Sequence, residues 1–302
     1  MEGHPDRCTD LMIAPAAGGA ITGAGPSEHD LKLVELWLNG RGRNTQRAYR
    51  RDIERFFAFA RKPLQLVTLE DLQGFGDQLA ALPLSPSSRH RTLSAVKSLF
   101  AFGTRLRYFP FDVALPLRLP EFREQLAGRI LEEDEVLRMI AGETCPRNHL
   151  ILHLLYAAGV RVSELVALTW RDAQAHRGGG QITVFGKGSK TRVIRLEATV
   201  WKALNATRGS AAADAPIFVS RRGGKLDTSQ VFRIVKTAAV RAGVTKAVSP
   251  HWLRHCHASH ALDRGAPIHL VQQTLGHSSV ATTSRYLHAR PNESSSRFLP
   301  EI

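Results

Sequence analysis

The stretch HWLRHCHASH (residues 251–260) puts four histidines, a cysteine and an arginine into ten positions. Three settings use such residues: a metal site, a phosphate site, or the polar seam of a buried helix. Metal is the weakest reading. His251 and His255 have the i, i+4 spacing of the HExxH zinc motif, yet the glutamate position is Trp252, Arg254 repels a cation, and the closest carboxylate is Asp263. Phosphate fits better. Ser249-Pro250 makes a helix start, with serine as cap and proline at the first helical position. His251 and Arg254 then share one face of the first turn, where free N–H groups and the helix dipole favour an anion. His255, His257 and His260 point elsewhere and are expected as packed or hydrogen-bonded helix residues.

Working outward, the whole chain of 302 residues carries a formal charge of +14, from 41 Lys+Arg against 27 Asp+Glu. A solvated basic surface accounts for this as well as a polyanion does, so charge states a preference for nucleic acid and no mechanism. Cys8, Cys145 and Cys256 are scattered, without a CxxC pair, which argues against a disulfide framework or a cysteine-rich zinc module. No apolar run approaches the roughly 20 residues of a membrane span. LMIAPAAGGAITGAG (11–25) is broken by proline and glycines and preceded by acids as well as arginine, unlike a signal peptide. Residues 1–28 are expected as a flexible leader and the protein as cytoplasmic.

Residues 29–113 read as a small all-helical domain with basic faces. In NTQRAYRRDIERFFAFA (44–60), Asn44 or Thr45 caps a helix whose Tyr49, Ile53, Phe56, Phe57 and Ala60 recur at helical spacing, with Arg47, Arg50, Arg51 and Arg55 around the rest. TLEDLQGFGDQLAAL (68–82) has Thr68 as cap, Asp71 three residues on, and Leu72, Phe75 and Leu79 as core. SSRHRTLSAVKSLFAFGTRL (87–106) turns Leu93, Val96, Phe100 and Leu106 inward and Arg89, Arg91 and Lys97 outward. Pro116 and Pro120 disfavour helix and place a linker at 114–130.

The second half, 131–290, mixes elements. Helices are expected over 132–142 and 147–158, a hairpin over 181–197 around the turn GKGSK, and a third strand at IFVS (217–220). Helices near 228–241, 250–263, 267–275 and 279–287 follow, with Gly265 and Gly276 where helix stops belong. The chain is thus mostly α with a small antiparallel β-sheet: an all-helical domain, then an α+β domain.

Further cationic groups sit in this half. Arg161 is exposed on the turn of YAAGVRVSELVALTWRD (156–172), Lys187 and Lys190 occupy the hairpin tip, and LGHSSVATTSRYLH (275–288) puts Tyr286 nine residues after His277. Singly, each has a bland reading: a solvated loop arginine, turn lysines, a buried helix tyrosine. In this order, GVRVSEL, VFGKGSKTRVIRL, SPHWLRH and LGHSSVATTSRYLH resemble the catalytic half of the tyrosine recombinases, the phage-integrase and Xer-type family. The helical half looks like that family's core-binding domain.

The resemblance implies a site-specific recombinase or integrase that breaks and rejoins duplex DNA through a 3′-phosphotyrosine, without ATP, metal or other cofactor. Residue by residue it makes Tyr286 the nucleophile and Arg161 and Arg254 the holders of the phosphate oxygens. Lys187 is the proton donor to the leaving 5′ oxygen, His251 the acceptor of the tyrosine proton, and His277 a further donor to the phosphate. Glu164 and His255 are supporting groups. Cys256 and His257 depart from the family's usual threonine and aromatic residue, which bears on local packing. Arg47, Arg50, Arg51, Arg89, Arg91, Lys97 and Lys190 are candidates for DNA contact. Implied partners are double-stranded DNA and further protomers, as a tetramer on two sites or a hetero-tetramer with a related recombinase, at the nucleoid. The tail PNESSSRFLPEI (291–302) is either a protomer contact through Phe298 and Leu299 or a frayed end. The rival readings are a type IB topoisomerase and a DNA-binding regulator without catalysis.

Overall fold

The computed structural model describes residues 25–121, 126–186 and 191–287, and the chain divides into two compact units, Met1–Glu124 and Gln125–Ile302. The first holds helices α1 (Glu28–Leu38), α2 (Arg43–Ala60), α3 (Leu69–Ala81) and α4 (Pro86–Arg105). Two of them begin in reciprocal capping boxes, Ser27 with Asp30 and Thr68 with Asp71, in which side chain and backbone satisfy each other's spare donors. Of the expected leader, residues 1–24 lie outside the described residues, whereas Ser27 and Glu28 already belong to the start of α1.

Neither Asn44 nor Thr45 caps α2. The helix begins at Arg43 with Gly42 at the cap position. Gln46 Nε2 donates to the carbonyls of Leu38 and Arg41 at 3.2 and 2.9 Å, which closes the turn early and draws both residues into the first helical turn. Ile53, Phe56, Leu72, Phe75, Leu79, Leu93, Val96 and Phe100 form the core as their spacing predicts. Leu106 does not join it; it caps α4 at 46% exposure, because Tyr108 and Phe109 occupy the space beside Phe100. The proline stretch is packed rather than free: Leu117 is buried in this core, and Lys97 Nζ donates to the carbonyls of Leu115 and Leu117, both at 2.7 Å.

The second unit holds α5 (Glu133–Ala141), α6 (Pro146–Ala157), α7 (Val162–Ala167), strands β1 (Ala173–His176), β2 (Gly179–Phe185) and β3 (Thr191–Leu196), then α8 (Ala198–Ala206), α9 (Thr228–Arg241), α10 (Pro250–Asp263), α11 (Ile268–Leu275) and α12 (Val280–Leu287). The strands make one antiparallel sheet in the order β1-β2-β3, with Ile182 opposite Ile194. The expected hairpin is β2 and β3. Its third strand is β1, not IFVS, which forms only isolated bridges such as Val219 with Lys225. AQAH lacks the β-branched residues that mark a strand; the turn at Arg177 and Gly178, both with positive φ, folds it back onto β2. Gly180 lies directly under Trp201 of α8, where a Cβ would come within 2.1 Å of the indole. Among the described residues, no helix is long and apolar enough to cross a membrane.

Candidate active site

Helix α10 begins at Pro250 with Ser249 as backbone cap, but the serine hydroxyl makes no capping bond. The first turn's donors are therefore left to other partners. His251 is exposed, whereas Arg254, one turn on, is 1% exposed. Its guanidinium bridges two chain reversals, donating from Nη1 to the Gly159 carbonyl and from Nη2 to that of Leu275, each at 2.5 Å. Gly159 has φ +57, and a Cβ there would meet Leu275 Cδ2 at 2.7 Å and His257 Cδ2 at 2.9 Å. Only glycine allows both that turn and that approach. Burial, with repulsion from Arg161 next, lowers the Arg254 pKa to about 9.

Gly159 leads into Arg161, the cap residue of α7. Its backbone N–H donates to Glu164 Oε2 at 2.7 Å and its Nη1 to Oε1 at 2.8 Å. The same carboxylate receives Arg192 of β3, Nη1 to Oε1 at 2.9 Å and Nη2 to Oε2 at 2.7 Å. Glu164 is 6% exposed. Burial alone would raise its pKa, but Arg192 and then Arg161 outweigh it and bring the carboxyl to about 2. Arg161, Glu164 and Arg192 line a cleft of about 620 Å³ that also exposes His277.

His277 follows the αL cap Gly276 at the end of α11. Its Nδ1 bonds Thr283 Oγ1 at 2.9 Å, and its ring lies parallel to that of Tyr286 at 6.3 Å. Burial first, then Arg254 and Arg161, lowers its pKa to about 4, so it is neutral near pH 7. Tyr286, in α12, is buried, with its hydroxyl 2.7 Å from His255 Nδ1. The His255 ring stands 4.4 Å from that of His251.

The histidines of α10 thus separate by face. His257 Nδ1 contacts the Tyr156 carbonyl at 2.8 Å, and burial lowers its pKa to about 4. His260 sits between the Tyr156 hydroxyl (2.9 Å) and the Leu131 carbonyl (3.0 Å), while Cys256 Sγ accepts the Leu131 N–H at 3.2 Å. These are packed, hydrogen-bonded helix residues. His255 is different: it turns toward Tyr286 instead of away from the site, because i+4 from His251 keeps it on the same face. Among the described residues no three His, Cys, Asp or Glu side chains converge as a metal site.

Arg161, Arg254, Glu164, His251, His255, His277 and Tyr286 are brought together by these contacts. Lys187 and Lys190 lie outside the described residues. Arg192 was missed by sequence reasoning. Its signal was its register: it shares a strand face with Ile194 and Leu196, both buried, so an arginine there needs a buried partner. In the first unit, Arg50 pairs with Glu35, Arg91 with Asp52, Arg89 Nε donates to the Leu84 carbonyl at 3.0 Å, and Lys97 holds the two carbonyls named above. Arg47 and Arg51 are exposed.

A family model for the phage integrase family matches residues 129–293, more than half of the chain, and one for the phage integrase N-terminal SAM-like domain matches 33–106. The chain belongs to the phage integrase family. This tyrosine recombinase is 34% identical over 295 residues to tyrosine recombinase XerC of Xanthomonas campestris pv. campestris, covering 91% of the chain and 90% of the relative. It is 30% identical over 282 residues to tyrosine recombinase XerD of Staphylococcus saprophyticus, covering 88% and 94%. Its fold matches a lambda integrase tetramer bound to a Holliday junction with TM-score 0.71 at 18% identity, covering 88% of this chain and 79% of that one. These relatives are recombinases, so the topoisomerase and regulator readings are not favoured, and the chain is an enzyme of site-specific recombination.

Proposed function

We propose that this recombinase cuts duplex DNA by attack of the Tyr286 hydroxyl on a phosphodiester held by Arg161 and Arg254. The observation that carries the reading is an excess of cation: among the described residues the guanidinium groups of buried Arg254, of Arg192 and of the 39% exposed Arg161 gather about one carboxylate, Glu164, which Arg161 and Arg192 bind directly, and a cleft walled by His277 opens beside Arg161. A phosphodiester offsets one of the two surplus charges, and the second negative charge that builds in the transition state offsets the other. As the Tyr286 oxygen bonds to phosphorus, the bond to the 5′ oxygen breaks, leaving a 3′-phosphotyrosine and a 5′-hydroxyl. The tyrosine proton leaves toward the His255–His251 pair, with His251 as its acceptor, and Lys187 protonates the 5′ oxygen. Arg161 and Arg254, with His277 as a further donor, stabilise the charge that builds on the non-bridging oxygens. Attack of another 5′-hydroxyl reverses the step, so no ATP is consumed, and this residue set needs no metal.

Residues 29–113 are the core-binding domain of this reading and 131–290 the catalytic domain, joined through 114–130, and each contacts duplex DNA. Arg47 and Arg51, exposed and on one helix, are its first phosphate contacts, with Arg50, Arg89, Arg91, Lys97 and Lys190 as further candidates. The working unit is a tetramer on two DNA sites, of this chain alone or with a related recombinase. The tail at 291–302 lies outside the described residues and is either a protomer contact through Phe298 and Leu299 or a frayed end, and the enzyme acts in the cytoplasm at the nucleoid. The test is covalent trapping in EDTA with a library of nicked suicide duplexes. An SDS-resistant adduct is expected, absent in Tyr286→Phe; tight duplex binding without an adduct overturns the catalytic reading.

A further inference from the structure

Arg192 joins three segments that lie far apart in the sequence. From β3 it grips both oxygens of Glu164 in α7, at 2.9 and 2.7 Å, and its Nε donates to the Thr274 carbonyl in α11 at 2.7 Å. Two residues beyond Thr274, Gly276 turns the chain with φ +65; a Cβ there would stand 3.0 Å from Arg192 Cδ and 3.1 Å from Nη1. The next residue is His277. On its other side, Glu164 receives the backbone N–H and Nη1 of Arg161. One guanidinium therefore holds both the carboxylate that aims Arg161 and the turn that presents His277.

We infer that Arg192 is a positioning residue for strand cleavage, acting through Arg161 and His277; this rests on the function proposed above. Two arguments carry it. The first is geometric. A planar fork bonded to two carboxylate oxygens and a carbonyl has one orientation, which a lysine ammonium cannot reproduce. The second is electrostatic. The Arg192 and Glu164 side chains are 11% and 4% exposed, so their charges are poorly screened. With Arg192 neutralising Glu164, the charge of Arg161 remains available to a phosphate. Without it, Arg161 is the nearest counter-charge of a buried carboxylate, and its field at the phosphate weakens. Stability alone is a poor reason for the pair, since apolar replacements of buried ion pairs are often neutral or stabilising.

The test uses the full chain and the nicked duplex that the wild type traps, with either the natural phosphodiester or a neutral methylphosphonate at the scissile position. Single-turnover adduct formation and duplex Kd are measured for the wild type, Arg161→Ala, Arg192→Gln and Arg192→Lys, with Tm beside them. On the phosphodiester, Arg192→Gln should slow cleavage about 10–100-fold, as loss of supporting groups does elsewhere, and leave Kd within about threefold because the effect belongs to the transition state. On the methylphosphonate, which demands less positive charge, Arg161→Ala and Arg192→Gln should both come within about tenfold of the wild type. Arg192→Lys, keeping charge without the fork, should fall between wild type and Arg192→Gln on the phosphodiester. If Arg192→Gln does not fold, Arg192→Lys carries the same two-substrate comparison. Cleavage at the wild-type rate, or an equal deficit on both substrates, overturns the inference. Failure of the wild type to trap any duplex instead defeats the cleavage reading proposed above.

Discussion

Both units bury charge, and they treat it differently. In the first, Asp30 is fully buried yet accepts four bonds: from the N–H and hydroxyl of Ser27 at 2.7 and 2.9 Å, from the Leu64 N–H at 3.2 Å, and from the Tyr108 hydroxyl at 2.8 Å. Asp52, equally buried, is closed by Arg91, with Thr92 Oγ1 at 2.9 Å. Each carboxylate is surrounded by its own donors, and nothing further is asked of the solvent. In the second unit the cations outnumber their counter-charge: among the described residues Arg254 is bonded by two carbonyls, and Arg161, still 39% exposed at a cleft, divides one carboxylate with Arg192. Saturated buried charge is architecture. Surplus positive charge at the wall of a cleft is what the phosphate proposed above would offset.

That contrast can be broken by substitution. The largest expected effect is at Arg254: Arg254→Ala should lower single-turnover adduct formation by about 10²–10³-fold, the usual loss for one transition-state donor. A fall no larger than its loss of folded fraction would make Arg254 merely architectural. In the first unit the reverse is expected. Asp30→Ala leaves the Leu64 N–H and Tyr108 hydroxyl without their acceptor and should cost about 3 kcal/mol, with cleavage by the remaining folded protein unchanged; urea unfolding and trapping on one sample read both.

Acid should separate the two kinds of carboxylate. Glu164 has a folded pKa of about 2 against 4.5 unfolded. Its stabilisation, on the order of 3 kcal/mol, is present in full above the unfolded value and lost as pH falls toward the folded one. Burial, opposed by Thr92 and Arg91, leaves the Asp52 pKa raised. Its contribution therefore runs the other way, improving as pH falls through its folded value. The urea stability gap between wild type and Glu164→Gln should shrink from pH 6 to pH 3 or below, whereas that between wild type and Asp52→Asn should move in favour of the wild type. Parallel trends would dissolve the distinction. The smallest effect is at the exposed Arg50–Glu35 pair, where Arg50→Ala should change stability by no more than about 0.5 kcal/mol.

Legibility followed the range of the interactions. Thr68 with Asp71 was readable because a capping box spans three residues, and the β2–β3 pairing because its two runs flank one turn. Gly276 was visible as a helix stop, though not as the point where Arg192 presses on the backbone. Leu106 and IFVS misled for one reason. Each has the right local pattern, but Tyr108 and Phe109 took the core position of the first, and β1 took the sheet position of the second.

By itself the sequence determined the helices, the hairpin, the basic balance, and the order of arginine, histidine and tyrosine that marks a recombinase, because side-chain periodicity and capping depend on neighbours a few residues away. The tertiary structure alone decided that Arg192 meets Glu164 across 28 positions, that Arg254 spans Gly159 and Leu275, and that His255 rather than His257 faces Tyr286. A helix's period tells which residues share a face; only packing tells what that face meets.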